Sequence, residues 1–250
     1  MNILLIADIH SNLPALESVF NFIQMKNIKP DKIFILGDIV GYGPFPNECL
    51  EWIKKLKTDF IVAGNHEWAV LNKLDINKFN FNAREAILFT RKVLTKENHE
   101  FISQLGESIS YKLENVDYLA VHGSPRDQIM EYILNGIIAK VNIDYSRGNV
   151  TFFAHTHVPF IYYKEEKKVY EIMITGQMSV KIDLNFKYLI NPGSIGQPRD
   201  HNPMASFCIL DTVNQEYNFY RVPYNIEHMM KYMDKFDLPV FLSKRLLYGI

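Results

Sequence analysis

Five short apolar runs in this chain each stop at a side chain that can bind a metal ion, and they constrain the fold more than any other feature. The runs and the residues that follow them are ILLIA before Asp8, FILG before Asp38, FIVAG before Asn65, YLAV before His122 and TFFA before His155. Short apolar runs bounded by turn residues predict buried strands. Ligands bind beyond the carboxyl ends of parallel strands. We therefore expect these five side chains to converge at one edge of a sheet.

The rest of the pattern predicts an α/β fold. In the first half, strands alternate with helices, which is typical of a mostly parallel sheet. The predicted elements there are strands Ile3–Ala7, Lys32–Leu36 and Phe60–Ala63, and helices Leu13–Met25, Pro46–Leu56 and one from His66. After a helical, polar-faced stretch from Asn77 to Leu105, the chain is rich in strands. These are Ser110–Glu114, Asp117–Val121, Thr151–Ala154, Ile161–Lys164, Val169–Ile174, Val180–Leu184, Tyr188–Ile190, Ala205–Leu210 and Glu216–Val222, before a helical tail from Ile226. Without a linker or repeat between them, residues 1–250 are predicted to form a single domain.

Composition narrows the possible partners. The chain has 27 Lys and Arg residues against 28 Asp and Glu residues, a net charge of −1, which gives no general attraction to nucleic acid or acidic membranes. The cysteines Cys49 and Cys208 are too far apart to indicate a thiolate metal site or a disulfide framework. No stretch approaches the roughly 18 to 20 apolar residues of a membrane span, and no basic leader precedes Ile3. We expect a cytoplasmic protein that binds anions only locally, without nucleic-acid or membrane partners. Its oligomeric state is left open.

Two of the strand endings carry a second potential ligand two residues later. These pairs are Asp8-x-His10 and His155-x-His157, and residues i and i+2 point the same way in an extended chain. The full set is Asp8, His10, Asp38, Asn65, His122, His155 and His157. Nitrogen and oxygen ligands of this kind suit Mn, with Fe, Zn or Ni as alternatives. Seven ligands exceed the needs of one ion, so we predict two divalent ions with Asp38 as the shared ligand. Two such ions outweigh the two carboxylates, so a phosphate anion would be attracted.

These motifs resemble the calcineurin-like metallophosphoesterase superfamily, in particular its small bacterial and archaeal phosphodiesterase-type branch. The motifs that carry the resemblance are Asp8-Ile-His10, Gly37-Asp38-Ile-Val40, Gly64-Asn65-His66-Glu67, His122-Gly-Ser-Pro125 and Ala154-His155-Thr-His157, with Ser11–Leu16, Gly41–Pro44 and Asn191–Arg199 around them. The resemblance implies a four-layer α-β-β-α sandwich of two mixed sheets flanked by helices. It also implies a first ion on Asp8, His10, Asp38 and His157, and a second ion on Asp38, Asn65, His122 and His155.

The function implied is hydrolysis of a small phosphoester, either a diester or a monoester, by in-line attack of a metal-bridging hydroxide. His66 adjoins Asn65 and is predicted to be the general acid that protonates the leaving group. Asn12 and Arg199 lie in loops next to motif residues and are candidate substrate contacts. Ala154 stands where the family usually has Gly, so a left-handed backbone at that position would be strained.

Other functions fit parts of the pattern. A metal-binding, non-catalytic interaction scaffold of the same fold is the main alternative, although such a scaffold lacks the histidine that corresponds to His66. Protein phosphatases and symmetrical dinucleoside polyphosphate hydrolases of the superfamily carry G-D-x-V-D-R-G, where this chain reads Gly37-Asp-Ile-Val-Gly-Tyr-Gly43. The missing Asp and Arg disfavour both of these functions. The motifs leave the physiological substrate, the preference for monoester or diester, and the native metal open.

Overall fold

The predicted alternation of strands and helices forms two six-stranded sheets with eight α-helices, in a computed structural model that describes residues 1–56, 58 and 60–250. The strands are β1 (Asn2–Ile6), β2 (Lys32–Ile35), β3 (Phe60–Ile61), β4 (Ser108–Leu113), β5 (Val116–Val121), β6 (Val150–Phe152), β7 (Phe160–Glu165), β8 (Lys168–Met173), β9 (Met178–Lys181), β10 (Lys187–Asn191), β11 (Ala205–Asp211) and β12 (Glu216–Val222). The helices are α1 (Leu13–Met25), α2 (Pro46–Lys55), α3 (Asn65–Val70), α4 (Phe81–Val93), α5 (Lys96–Ser103), α6 (Gly136–Tyr145), α7 (Ile226–Lys235) and α8 (Val240–Lys244). Short 3₁₀ turns lie at Ile76–Lys78 and Arg245–Leu247.

Both sheets are mixed, as predicted. The first has the order β3-β2-β1-β11-β12-β9, with β1, β2 and β3 parallel and the other strands added antiparallel. The second has the order β4-β5-β6-β10-β7-β8, with a parallel centre formed by β5, β6 and β10. The parallel strands therefore form one half of the first sheet and the centre of the second sheet. Their carboxyl ends provide the edge at which ligands were predicted to gather.

The strand β1 shows why its apolar run is continuous. Ile3 and Leu5 pack into the core between the sheets, whereas Leu4 and Ile6 pack against the layer that contains α1. A strand covered on both faces cannot alternate apolar and polar residues, because neither face reaches water. The two sheets and their covering helices therefore form the predicted four-layer sandwich.

The strand-rich part of the chain after Leu105 supplies the strands of the second sheet and also completes the first sheet. The strands β9, β11 and β12 complete the first sheet, where β11 pairs antiparallel with β1 through Leu4↔Ile209 and Leu5↔Cys208. Alternation along a strand indicates which faces are buried but not which neighbour it pairs with.

Helix α6 was absent from the prediction. Its amino end is capped by Asn135, whose side chain accepts from the N–H groups of Ile137 and Ile138 at 3.0 and 3.1 Å. Its buried residues Ala139 and Ile143 pack on the outer face of the second sheet. Among the described residues, no helix is long and apolar enough to cross a membrane.

Candidate metal centre

The structure brings the seven predicted ligands together where strands of the two sheets end. Asp8 and His10 follow β1, Asp38 follows β2, and Asn65 opens α3 just after β3. The remaining three follow strands of the second sheet, His122 after β5 and His155 and His157 after β6. None of the seven side chains is more than 4% exposed. Each sheet thus contributes ligands to one buried site.

A first cluster contains Asp8, His10, Asp38 and His157. One ligand atom from each of these residues lies within 4.8 Å of the others. The Nε2 atoms of His10 and His157 are 3.1 Å apart, and His157 Nε2 is 3.6 Å from Asp8 Oδ1. These are the four residues predicted to hold the first ion.

A second cluster contains Asp38, His122 and His155, with Asn65 beside it. His122 Nε2 lies 3.1 Å from His155 Nδ1 and 3.0 Å from Asn65 Oδ1. Asp38 belongs to both clusters, since its Oδ2 atom is 3.7 Å from His10 Nε2 and 3.3 Å from His122 Nε2. A single carboxylate oxygen therefore lies between the two clusters, at the position expected for a shared ligand.

Three imidazoles are oriented by backbone carbonyls. The Nδ1 atoms of His10, His122 and His157 lie 3.2, 2.8 and 2.6 Å from the carbonyl oxygens of Val40, Leu36 and Gln197. A carbonyl only accepts, so each Nδ1 carries a proton. Burial lowers the pKa of His10 and His157, so these rings are neutral and their Nε2 atoms turn lone pairs into the site. Burial acts in the same direction on His122, but the charge of Asp38 and a hydrogen bond to it raise its pKa to about 9, and a bound cation would displace that proton. Two such lone pairs face each other between His10 and His157 at 3.1 Å. A cation between them would remove this repulsion, and so the donor set fits a metal ion.

The carboxylates indicate the same requirement for positive charge. Both oxygens of Asp8 are buried without a hydrogen-bond partner, and burial raises the pKa of Asp8 to about 8. Burial also favours a higher pKa for Asp38, but the neighbouring His122, His66 and His10 together outweigh this and hold the pKa of Asp38 well below its usual range. Burial lowers the pKa of His157 well below its ordinary value, so its imidazole is neutral and available as a ligand. A buried carboxylate without donors is rare unless a cation compensates it.

Comparison with known proteins agrees with this geometry. Residues 1–215 match the calcineurin-like phosphoesterase superfamily domain. The chain is 39% identical over 248 residues to an uncharacterized protein of Methanocaldococcus jannaschii, covering 99% of this chain and 98% of that protein. The chain belongs to the calcineurin-like phosphoesterase superfamily. The family resemblance predicted from the motifs is thereby confirmed.

Two solved structures resemble this superfamily member over their whole length. A metallophosphoesterase from Sphaerobacter thermophilus superimposes with a TM-score of 0.85 at 37% identity, covering 100% of this chain and 99% of that one. A hypothetical protein from Pyrococcus horikoshii gives a TM-score of 0.79 at 20% identity, covering 100% and 98% of the two chains. The second likeness concerns the fold alone.

Left-handed backbone is concentrated at the ligands of this superfamily member. Five of the seven have positive φ, and they are Asp8 (51°), His10 (49°), Asp38 (51°), His155 (67°) and His157 (61°). The Asp-x-His and His-x-His pairs therefore converge through tight turns and not, as predicted, through extended chain. Ala154 is not among the positive-φ residues, so the strain foreseen there does not arise. Such conformations cost about 1 to 3 kcal/mol each and cluster at functional sites.

His66 lies beside both clusters without belonging to either. Its backbone N–H donates to Asp38 Oδ1 at 2.9 Å, and its ring packs against the rings of His10 and Tyr42 with centroids 4.9 and 4.5 Å away. Its Nδ1 atom is buried and has no hydrogen-bond partner. Burial lowers the pKa of His66 to about 4, and the charge of Asp38 offsets this only in part. The ring approaches Gly41 so closely that a Cβ there would lie 2.2 Å from His66 Nδ1.

Glu67 is a buried residue beside the clusters that the sequence reasoning did not single out. Its side chain is fully buried and accepts from three backbone N–H groups. Oε2 accepts from Asp38 and Gly64 at 2.8 and 2.7 Å, and Oε1 accepts from Val40 at 3.0 Å. The carboxylate thus ties the loop after β2 to the start of α3. Its position in the Gly-Asn-His-Glu motif was the available signal.

The two predicted substrate contacts have different surroundings. Asn12 is fully buried, accepts from the Ala15 N–H at 3.2 Å as the cap of α1, and donates to the Gly196 carbonyl at 2.9 Å. Both ends of its amide are therefore used within the protein, and it is absent from the cavity walls. Arg199, in contrast, lines the cavity next to the metal clusters.

That cavity has a volume of about 160 Å³. Tyr132 forms part of its wall and stacks on His155 with ring centroids 3.7 Å apart and an interplanar angle of 20°. Lys78, the last residue of the 3₁₀ turn before α4, and the adjacent Phe79 form another part. Sequence reasoning missed all three residues, because they lie in irregular segments without a motif.

Proposed function

We propose that this protein hydrolyses phosphoesters with two divalent metal ions, the first on Asp8, His10, Asp38 and His157 and the second on Asp38, Asn65, His122 and His155. The observation that carries the proposal is the position of Asp38 Oδ2 between two buried ligand clusters. Membership in the phosphoesterase superfamily supports the reaction class. Two ions at such a centre lower the pKa of a water molecule and stabilise charge on the phosphoryl group.

The side chains around the centre then have distinct roles. His66 lines the cavity and is proposed to protonate the leaving group during in-line displacement. That role requires a protonated imidazole, which the negative charge of a bound substrate favours. Arg199 is proposed to hold the phosphate through its guanidinium group. The alternative of a non-catalytic scaffold is disfavoured because His66 is present and faces the cavity.

The test is hydrolysis of aryl phosphate esters by the purified chain with Mn²⁺, followed by chelation. We expect turnover that EDTA abolishes and that Mn²⁺ restores, with Zn²⁺, Fe²⁺ and Ni²⁺ tested in parallel. Metal content measured by mass spectrometry should approach two ions per chain. If no chelator-sensitive turnover of any ester is found with any of these metals, the proposal is wrong.

A further inference from the structure

The charged groups around the cavity are of one sign. Apart from the proposed metal ligands, the charged side chains that line it are Arg199 and Lys78, both cations. Lys78 is exposed at the rim, whereas Arg199 is half-buried next to the clusters. A ligand that reaches the metal centre therefore meets additional positive charge from the protein.

The backbone and side chain of Arg199 are fixed relative to the first cluster. Its N–H donates to the carbonyl of His157 at 3.2 Å, and its Nη2 donates to Gln197 Oε1 at 2.9 Å and to the Tyr42 hydroxyl at 3.4 Å. The carbonyl of Gln197 in turn accepts from Nδ1 of His157. Gln197 thus orients two groups: its carbonyl orients the proposed metal ligand His157, and its side chain orients the guanidinium group of Arg199.

Arg199 also has donors to spare. In the described part of the chain it forms no ion pair, and its neighbour Asp200 is engaged by Arg221. Its Nε atom is buried and has no hydrogen-bond partner. A guanidinium group presents five N–H donors in a rigid fork that matches the oxygens of carboxylates and phosphates. Its surroundings leave part of this fork free for a ligand oxygen.

Phosphate esters differ in what they offer this fork. A phosphomonoester dianion has three terminal oxygens, whereas a diester has two and only one negative charge. In a diester, the third position is an esterified oxygen that carries no charge and accepts hydrogen bonds poorly. A guanidinium group desolvated against it would lose water without gaining a charged partner.

We propose that Arg199 binds a terminal phosphate oxygen and so makes this protein selective for phosphomonoesters over phosphodiesters. The inference rests on the proposed phosphoesterase function and adds the substrate class. The guanidinium group serves to recognise the substrate phosphate, and the proposed roles of the seven ligands and His66 are unchanged.

The experiment compares a monoester and a diester with the same leaving group on the Mn²⁺-loaded chain. We expect kcat/KM for p-nitrophenyl phosphate to exceed that for bis(p-nitrophenyl) phosphate. Arg199→Met should lower the monoester value about 10- to 100-fold, as expected for loss of a charge-assisted hydrogen bond. The diester value should change by less than about threefold. Calorimetric titration with inorganic phosphate should show the same weakening of affinity, while dimethyl phosphate binds weakly to both proteins.

Two further variants sharpen the comparison. Arg199→Lys keeps the charge but loses the fork, so an intermediate loss of phosphate affinity is expected. Arg147→Met removes an exposed arginine that lines a separate groove beside β4 and β5, and it should leave both kcat/KM values unchanged. Metal content is measured for each variant, so that a loss of ions is not mistaken for a loss of recognition.

The inference is overturned if the wild type prefers the diester, or if Arg199→Met lowers both esters equally at full metal content. The wild-type preference and its affinities for the two phosphates decide the matter even if Arg199→Met fails to fold. If neither ester is hydrolysed, the proposed function fails separately. Phosphate binding that depends on Arg199 would then still support the recognition, and equal binding of phosphate and dimethyl phosphate would refute it.

Discussion

Replacing Glu67 by Gln removes the acceptor that three buried backbone N–H groups share. The single carbonyl of Gln can take the place of Oε2 and accept from Asp38 and Gly64, which lie 2.8 and 2.7 Å from that oxygen. Its amide NH₂ then faces the N–H of Val40, which in the wild type donates to Oε1 at 3.0 Å and in the variant has no acceptor. The opposite orientation leaves two N–H groups without an acceptor, so it is less favourable.

The cost can be worked from these contacts. One buried donor without an acceptor destabilises the fold by about 1 to 3 kcal/mol. Two hydrogen bonds that lose their charge weaken by roughly 1 kcal/mol each. Burial penalises the ionised carboxylate and raises its pKa, and the neutral amide escapes that penalty, which offsets part of this cost. We therefore expect Glu67→Gln to lower the free energy of unfolding by about 1 to 3 kcal/mol, a substantial part of the roughly 5 to 15 kcal/mol typical of a folded protein. Because Asp38 is held by the same carboxylate, metal affinity should also fall about 10- to 100-fold.

The measurement is denaturant unfolding in EDTA, so that bound ions do not contribute to stability. It is made at pH 8, because burial raises the pKa of Glu67 to about 7 and the carboxylate must be ionised. Glu100→Gln is the control, since Glu100 is 61% exposed and, among the residues that the structure describes, pairs only with Lys96 at 3.8 Å. That change should stay within about 0.5 kcal/mol. If Glu67→Gln is as stable as the control, the role assigned to the three N–H contacts is refuted.

Three further predictions concern the ligands, the general acid and a loop. Asp38→Asn should lose bound metal, whereas His66→Ala should keep it and lower turnover about 10²- to 10⁴-fold; equal metal loss in both would reject these roles. Gly41→Ala should also lower turnover at full metal content, because its Cβ would meet His66 Nδ1 at 2.2 Å and its φ is 92°; an unchanged rate would contradict the contact. Hydrogen bonding from Arg126 and neighbours lowers the pKa of Glu131 to about 2. A carboxyl group whose pKa is lowered by folding stabilises the folded state fully above its ordinary pKa of 4.5. This stabilisation is lost as the pH falls through the pKa of the folded state. The advantage in melting temperature over Glu131→Gln should thus be constant above about pH 4.5 and shrink toward pH 2.

Much of the fold could be predicted because its signals are local. The helix Leu13–Met25 was predicted with its observed bounds, because its apolar residues recur at helical spacing. Helix α6 was missed because its exposed side mixes apolar and charged residues: Ile137 is 79% and Val141 43% exposed, beside the ion pair of Lys140 and Asp144. Such a mixture gives no clear helical period. The place of β9 in the first sheet depends on its pairing with β12, in which all paired residues lie at least 35 positions apart in the sequence. Local patterns do not indicate such a distant partner.

The ligand positions could be predicted because strand endings repeat, but their local conformation could not. Left-handed backbone at Asp8, His10 and Asp38 depends on hydrogen bonds between loops. The N–H of Asp8 donates to the Gly37 carbonyl at 3.2 Å, and that of His10 donates to the Asp38 carbonyl at 2.9 Å. These loops are far apart in sequence, and no single-residue preference favours positive φ for histidine strongly enough to predict it. Glu67 was likewise missed because two of its three partners, the N–H groups of Asp38 and Val40, lie in the distant loop after β2.

Each ligand cluster draws on both sheets. In the first, His157 comes from the second sheet and the other three residues come from the first. In the second, His122 and His155 face Asp38 and Asn65 across the same boundary. An ion in either cluster would therefore act as a cross-link between the two halves of the sandwich. Chelation would then weaken the seam between the sheets, and amide hydrogen exchange in β1 and β6 would report on metal loss even though neither strand contributes a ligand itself.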